Sequence, residues 1–115
     1  MFIDTTIAFV GSGMMAEAMI RGLLSQKIVE PEQIIAAGPR SERADRLHKR
    51  HAIRVTTDNK LAVEEGQIVV LSIKPQVLKD VMPEIRGHLR RQDMILSVIA
   101  GMPIKMIANG PVSYT

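Results

Sequence analysis

The chain has 115 residues, of which 46% are hydrophobic and 23% charged, a balance typical of one globular domain with one core. The absence of cysteine excludes disulfide scaffolds, thiolate zinc sites and cysteine nucleophiles. No apolar stretch approaches the roughly 20 residues that cross a bilayer, and residues 1–6 lack the basic start of a signal peptide. We therefore expect a cytoplasmic protein without a membrane partner.

The first predicted elements are a strand and a helix. Ile7–Val10 is an unbroken apolar run before Gly11, which is typical of a strand buried on both faces. From Ala16 onward apolar residues recur with helical spacing, and Glu17 and Arg21 are expected to pair one turn apart on the polar side. A helix therefore follows the first strand directly.

The same alternation continues along the chain. Further strands are predicted at Ile34–Ala37, Arg54–Thr56, Ile68–Leu71 and Met94–Val98. Ser41 is the predicted N-cap of one helix, and Asp58 or Asn59 is the predicted N-cap of the next. A further helix follows Pro75 and runs to Arg91, with an interruption or restart at Pro83. The last predicted helix spans Pro103 to Ala108. Strands that alternate with helices predict right-handed crossovers and an α/β fold with a doubly wound, mainly parallel sheet and helices on both faces.

A glycine-rich loop joins the first strand to the first helix. Residues 11–16, Gly-Ser-Gly-Met-Met-Ala, match the pattern G-x-G-x-x-G/A of dinucleotide-binding folds of the Rossmann type. Gly11 permits the tight turn, Gly13 lets a pyrophosphate approach the backbone, and the small Ala16 lets the helix pack on the strand. The N-terminus of the helix attracts phosphate. The alternative is a glycine turn that only connects the two elements.

The end of the second predicted strand bears on the choice between NAD(H) and NADP(H). An NAD site usually places Asp or Glu there, whereas this chain has Ala37, then Arg40 and Ser41. A guanidinium binds phosphate through charge-assisted, bidentate bonds, so Arg40 is the best candidate for a 2′-phosphate contact. We expect NADP(H) to be preferred. Glu42 keeps NAD(H) open, and a solvated surface arginine is the alternative for Arg40.

Three further segments follow predicted strands. They are Asp58-Asn59-Lys60, the run Leu71–Gln76 containing "IKPQ", and Ser97–Gly101, "SVIAG". Together with the glycine loop, this series resembles the N-terminal cofactor domain of pyrroline-5-carboxylate reductase, the enzyme of the last step of proline biosynthesis. The resemblance covers residues 6–109. It implies a dinucleotide-binding domain over residues 1–109, an irregular tail at 110–115, and the absence of the family's helical C-terminal domain.

The resemblance also implies which residues bind the cofactor. Val10, Gly11, Ser12, Gly13, Met14 and Met15 would form the pyrophosphate loop, Ala37, Arg40 and Ser41 the adenosine-phosphate pocket, Asn59 a ribose contact, and Ser72, Ile73, Lys74, Pro75, Val98, Ile99 and Ala100 the nicotinamide side. Alternatives are a helix cap for Asn59, a solvated side chain for Lys74, and core or turn for residues 98–100. Met14 replaces a polar residue of many members, which implies weaker affinity.

The activity implied by the resemblance is hydride transfer from NADPH to 1-pyrroline-5-carboxylate, giving L-proline. The absent domain would hold this small-molecule substrate and form the homo-oligomer, so we expect the present chain to be inactive alone. We find no catalytic acid or base and no metal-ligand spacing; His48, His51 and His88 are interpreted as surface or partly packed residues.

Three other functions remain open from the sequence. The chain could be the cofactor domain of another NADP-dependent reductase or β-hydroxyacid dehydrogenase, or a non-catalytic dinucleotide-sensing module. A nucleic-acid binder is suggested by six Lys or Arg against two acids between residues 40 and 54. We expect no nucleic-acid partner, because these basic residues lack aromatic neighbours and a recognised motif.

Overall fold

Five short segments form one parallel sheet in the computed structural model, which describes residues 5–89 and 94–97. The strands are β1 (Ile7–Val10), β2 (Ile34–Ala37), β3 (Arg54–Thr56), β4 (Ile68–Leu71) and β5 (Met94–Ser97). The helices are α1 (Met14–Ser25), α2 (Ser41–His51), α3 (Asn59–Glu65) and α4 (Pro75–Ile85), with short 3₁₀ turns at Pro31–Gln33 and Arg86–His88. The strand order β3-β2-β1-β4-β5 confirms the predicted doubly wound fold.

Apolar side chains on both faces of the sheet explain why its central strands are unbroken hydrophobic runs. On one face, Ala8 and Val10 of β1 pack in a cluster with residues of α3 and α4. On the other face, Ile7 and Phe9 pack with residues of α1 and α2, and Phe9 is completely buried. A strand with a helical layer on each face has no polar side to present to water. The sequence pattern of β1 therefore follows from its central position.

Two features of the helices differ from the sequence prediction. Ser41 is the first residue of α2 and Arg40 is its N-cap, so the predicted cap was wrong by one residue. Helix α4 continues through Pro83 to Ile85, and the predicted interruption there is absent. The predicted last helix at 103–108, the tail at 110–115 and the end of the fifth strand at Val98 lie outside the described residues.

The polar side of α1 pairs with α2 instead of with itself. Glu17 was expected to pair with Arg21, but its carboxylate lies 2.9 Å from His51 Nε2 and 3.1 Å from Arg50 Nη1. His51 and Glu17 are both largely buried, with side chains 12% and 17% exposed. The contact joins the first turn of α1 to the last turn of α2. It therefore holds together the two helices that cover one face of the sheet.

Candidate cofactor site

The register of the sheet brings the ends of four strands to one edge. Val10 pairs with both Ala37 and Leu71, and Leu71 pairs with Ser97. The ladder continues one residue past the strands, because the Gly11 N–H donates to Ala37 O at 2.8 Å and the Ser72 N–H donates to Val10 O at 2.9 Å. Segments that follow β1, β2 and β4 therefore start side by side, where doubly wound sheets bind ligands.

The turn after β1 requires glycine at its first position. Gly11 has a φ of +115°, a conformation that L residues rarely adopt. A Cβ on this residue would lie 2.5 Å from the Ser72 carbonyl oxygen and 2.9 Å from a methyl group of Ile73. The predicted role of Gly11 in the tight turn is confirmed. The loops after β1 and β4 can pack this closely because residue 11 has no side chain.

The next loop residues have different surroundings. Ser12 is only 7% exposed and packs against Gly38. Gly13 is the extended N-cap of α1 without a side-chain cap, and a Cβ built on it would have no atom within 4 Å. Met14 and Met15 are 81% and 55% exposed. The N-terminus of α1 therefore presents backbone N–H groups beside open space.

A cavity of about 300 Å³ lies at this edge of the sheet. It brings together five of the residues predicted from the sequence, namely Val10, Gly11, Ala37, Asn59 and Ile73. Gly38 and Pro39, within the predicted Ala37–Ser41 region, also line it. Segments from the ends of four strands, β1 to β4, thus meet around one concavity. Its volume is at the lower limit of about 300 Å³ for small-molecule sites, enough for one part of a dinucleotide.

Arg40 and Ser41 lie next to this cavity along the chain but do not line it. Both residues are exposed at the N-terminus of α2, directly after Pro39. No side chain caps the helix, so its first N–H groups lack a capping acceptor. An exposed guanidinium beside an uncapped helix N-terminus favours an anionic ligand at this position.

The loop after β3 shows which of the two residues, Asp58 or Asn59, caps α3. The Asp58 carboxylate accepts a hydrogen bond of 3.0 Å from the Lys60 N–H and is the N-cap of α3. Asn59 lines the cavity. The capping role and the cavity position therefore belong to neighbouring residues, and Asn59 is not needed as the cap.

The loop after β4 is anchored on β1. The Ser72 hydroxyl is within donating distance of Val10 O at 3.3 Å and of Gly11 O at 3.2 Å. Lys74 is extended and exposed, and Pro75 is the first residue of α4. The extended conformation of Lys74 follows from Pro75, because a proline disfavours the helical conformation in the residue before it. The remaining predicted site residues, Val98, Ile99 and Ala100, lie outside the described residues.

Four cavity residues were not found from the sequence. Thr57 follows β3, while Val77, Val81 and Glu84 form a stripe along α4. Their spacing of four and three residues places them on one side of that helix. Val77 is 40% exposed although it is apolar, but this exposure follows from the packing of α4 and is not visible in the sequence pattern.

Several charged side chains outside the cavity lining form ion pairs or hydrogen bonds with one another. The hydrogen bond from His51 and the nearby Arg50 guanidinium hold the pKa of the Glu17 carboxyl below its ordinary value, although burial opposes them. Glu65 pairs with Arg54, and Glu64 lies 2.5 Å from His88 Nδ1. Two of the three histidines therefore contact carboxylates: His51 contacts Glu17, which directly follows the glycine loop, and His88 contacts Glu64 on α3.

Two other features, a metal site and a membrane-spanning helix, are not found in the described part of the chain. Across residues 5–89 and 94–97, His, Asp and Glu form no group of three that could hold a metal ion. None of the helices in those ranges has the length and apolar content needed to span a membrane. The glycine loop and the adjoining cavity remain the main candidate site.

Several known proteins are similar to this chain in sequence and in fold. A pyrroline-5-carboxylate reductase of Synechocystis sp. is 35% identical over 104 residues, which are 90% of this chain and 39% of that protein. The structure of a pyrroline-5-carboxylate reductase from Coxiella burnetii matches with a TM-score of 0.84 and 25% identity, over 90% of this chain and 38% of that one. The predicted resemblance is confirmed.

A third match is the structure of Plasmodium falciparum pyrroline carboxylate reductase with NADP bound, at a TM-score of 0.76 and 21% identity, covering 92% of this chain and 39% of that one. The chain thus spans less than two fifths of the length of these relatives. The family model described as "NADP oxidoreductase coenzyme F420-dependent" matches residues 6–101. The chain therefore belongs to this family of NADP oxidoreductases.

Proposed function

We propose that this chain is the NADP(H)-binding part of a pyrroline-5-carboxylate reductase. The observation that carries the proposal is the cavity beside the glycine loop, formed where the ends of β1, β2 and β4 meet. Membership of an NADP oxidoreductase family and 35% identity to a pyrroline-5-carboxylate reductase over 90% of the chain support it.

The pyrophosphate is proposed to bind at the N-terminus of α1. The missing side chain of Gly13 leaves open space there, and the N–H groups of the first turn have no side-chain acceptor. Met14 and Met15 contribute backbone donors while their side chains extend into solvent. These features fit a phosphate, which needs several converging donors and close access to the backbone.

The adenosine end is proposed to occupy the cavity. Ala37 ends β2 and Gly38 follows it at the cavity, Asn59 supplies an amide near the ribose, and Val77 of α4 supplies an apolar wall. A 2′-phosphate would meet Arg40, the Ser41 hydroxyl and the uncapped N-terminus of α2. Three kinds of donor to one phosphate explain a preference for NADP(H) over NAD(H).

The nicotinamide end is proposed to lie beside the loops after β4 and β5. Ser72, Ile73, Lys74 and Pro75 would contact it from one side, and Val98, Ile99 and Ala100 from the other. Ser72 is held against the Val10 and Gly11 carbonyls, so its loop has a fixed position relative to the glycine loop. When bound, NADPH supplies the hydride, and these residues would orient the ring.

The reaction proposed for the complete enzyme is reduction of the C=N bond of 1-pyrroline-5-carboxylate to give L-proline. Substrate contacts and homo-oligomer formation are assigned to the part of the relatives that this chain does not span. We accordingly propose a cytoplasmic enzyme and expect this chain alone to bind cofactor without turnover. Joining it to the remaining part of the Synechocystis relative should give NADPH oxidation that depends on 1-pyrroline-5-carboxylate.

Titration with NADPH and NADH tests the cofactor assignment. We expect tighter binding of NADPH, and Arg40→Ala should raise the dissociation constant for NADPH about tenfold while leaving that for NADH within about twofold. Arg46→Ala is the matched control, because it removes the same charge from α2 one and a half turns away from its N-terminus. Equal affinities for the two cofactors, or equal effects of the two variants, would contradict the assignment.

A further inference from the structure

One side of α4 forms a wall of the cavity. Val77, Val81 and Glu84 lie along this wall, and the loop residues Thr57 and Asn59 also line the cavity. The lining is otherwise mainly aliphatic and includes Val10, Ala37, Pro39 and Ile73. The cavity is therefore an apolar space with polar side chains on two sides. Glu84 is the one ionisable group among its lining residues.

Glu84 differs from the paired carboxylates elsewhere in the described ranges. Glu64 and Glu65 on α3 contact His88 and Arg54, and Glu17 contacts Arg50 and His51. Within the described ranges, Glu84 has neither an ion pair nor a side-chain hydrogen bond. A carboxylate accepts hydrogen bonds and donates none when ionised. The α4 wall thus offers an acceptor to whatever occupies the cavity.

We propose that Glu84 is a specificity-determining residue that selects adenine by accepting a hydrogen bond from its exocyclic amino group. This inference rests on the proposed function, in which the adenosine end occupies the cavity. Val77 and Val81 supply an apolar surface for the flat ring, and Glu84 meets its polar edge. A purine with a carbonyl oxygen in place of the amino group would bring two acceptors together and bind more weakly.

The same carboxylate fixes the direction in which the dinucleotide lies. Its negative charge disfavours a phosphate along the α4 wall. The uncapped N-termini of α1 and α2 favour phosphate at the glycine loop and beside Arg40. Glu84 and the helix N-termini therefore act together, with the base toward α4 and the phosphates toward the glycine loop and Arg40.

A comparison of NADPH with deamino-NADPH, in which hypoxanthine replaces adenine, tests the proposal on the 115-residue chain. We expect the dissociation constant for deamino-NADPH to exceed that for NADPH about tenfold. Glu84→Gln should bring the ratio to within about twofold of unity, because a glutamine amide can accept from the amino group of adenine or donate to the oxygen of hypoxanthine.

The matched control is Asp80→Asn, which removes an exposed carboxylate from the same helix outside the cavity lining and should leave the ratio unchanged. Equal affinity of the unaltered chain for the two dinucleotides, or an unchanged ratio in Glu84→Gln, overturns the role of Glu84. If NADPH binds and depends on Arg40, the proposed function survives that result. If neither dinucleotide binds, both proposals fail.

Discussion

The Ser12 hydroxyl occupies the space that a side chain on residue 38 would need. A Cβ on Gly38 would overlap the Ser12 oxygen and lie 3.0 Å from the Ser12 Cβ. Ser12 is in the glycine loop after β1, and Gly38 directly follows β2. The two loops therefore fit each other through a small residue on each side.

Gly38→Ala should destabilise the protein by about 1–3 kcal/mol, because the added methyl group forces apart two loops that are held by the sheet. The free energy of unfolding in urea measures this loss. NADPH affinity should fall with it, since the displaced residues form the proposed site. Removing the opposing side chain as well, in Ser12→Gly with Gly38→Ala, should recover most of the lost stability.

Gly22→Ala serves as the control for this substitution. Gly22 is inside α1, and a Cβ on it would have no atom within 4 Å. We expect a gain of about 0.5–1 kcal/mol, the usual difference between glycine and alanine inside a helix. A Gly38→Ala protein as stable as the unaltered chain would disprove the packing relationship.

Gly11→Ala should be more damaging than Gly38→Ala. It combines a φ of +115° with a Cβ placed 2.5 Å from a backbone oxygen of the loop after β4. We expect a loss of about 3 kcal/mol in the free energy of unfolding, together with weaker NADPH binding. Replacing Ile73, whose methyl group is also close, with alanine should not rescue the variant, because the Ser72 backbone remains in place. Rescue by that second substitution would refute this account.

Arg40→Ser should separate stability from cofactor binding. Arg40 occupies the N-cap of α2 without making a capping hydrogen bond, and its positive charge is unfavourable at a helix N-terminus. Serine should therefore raise the free energy of unfolding by about 0.5–1 kcal/mol. Affinity for NADPH should nevertheless fall about tenfold. Parallel loss of both quantities, measured by urea unfolding and titration, would mean that Arg40 has a structural role instead.

The contact between Glu17 and His51 should make stability depend on pH. The folded state holds the pKa of Glu17 below its ordinary value of 4.5, so the stabilisation is complete above that pH and is lost as the pH falls through the folded-state pKa. Glu17→Gln should cost up to about 1 kcal/mol at pH 7, and the difference should shrink below pH 4.5. Urea unfolding at pH 7, 5, 4 and 3 measures it.

Two backgrounds identify the partner responsible. In His51→Ala the pH-dependent effect of Glu17→Gln should be reduced, because the main hydrogen bond to the carboxylate is gone. In Arg21→Ala the effect should persist, since Glu17 pairs across helices and not along α1. If the effect were lost in Arg21→Ala alone, Glu17 would pair with Arg21, as expected from the sequence.

The central strands could be predicted closely because each is a short apolar run bounded by glycine or polar residues. The bounds of β2, Ile34–Ala37, match the prediction for this reason. The helix cap at Ser41 was wrong by one residue, since a good capping residue does not determine the backbone conformation of its neighbour. Asp58 and Asn59 remained alternatives until the hydrogen bond to the Lys60 N–H was known.

Contacts between distant segments were beyond the sequence patterns. The partners of Glu17 are more than 30 residues away, on a different helix. Val81 and Glu84 line the cavity only because α4 packs beside the strand ends. Helical periodicity predicts one side of α4, but it does not determine which loops face that side. The cofactor residues predicted at the glycine loop depended on local chemistry, whereas the α4 wall depended on topology.

The cavity has a consequence for how the protein folds. Its lining extends from Val10 to Glu84, and β1 pairs with strands that come both soon after it and much later in the chain. No short contiguous piece contains the cavity, and during synthesis it can form only after α4 has left the ribosome. A ligand that binds there selects forms in which β1 to β4 and α4 are assembled over less folded forms. Cofactor binding would thus report the assembly of this part of the fold as well as the identity of the site.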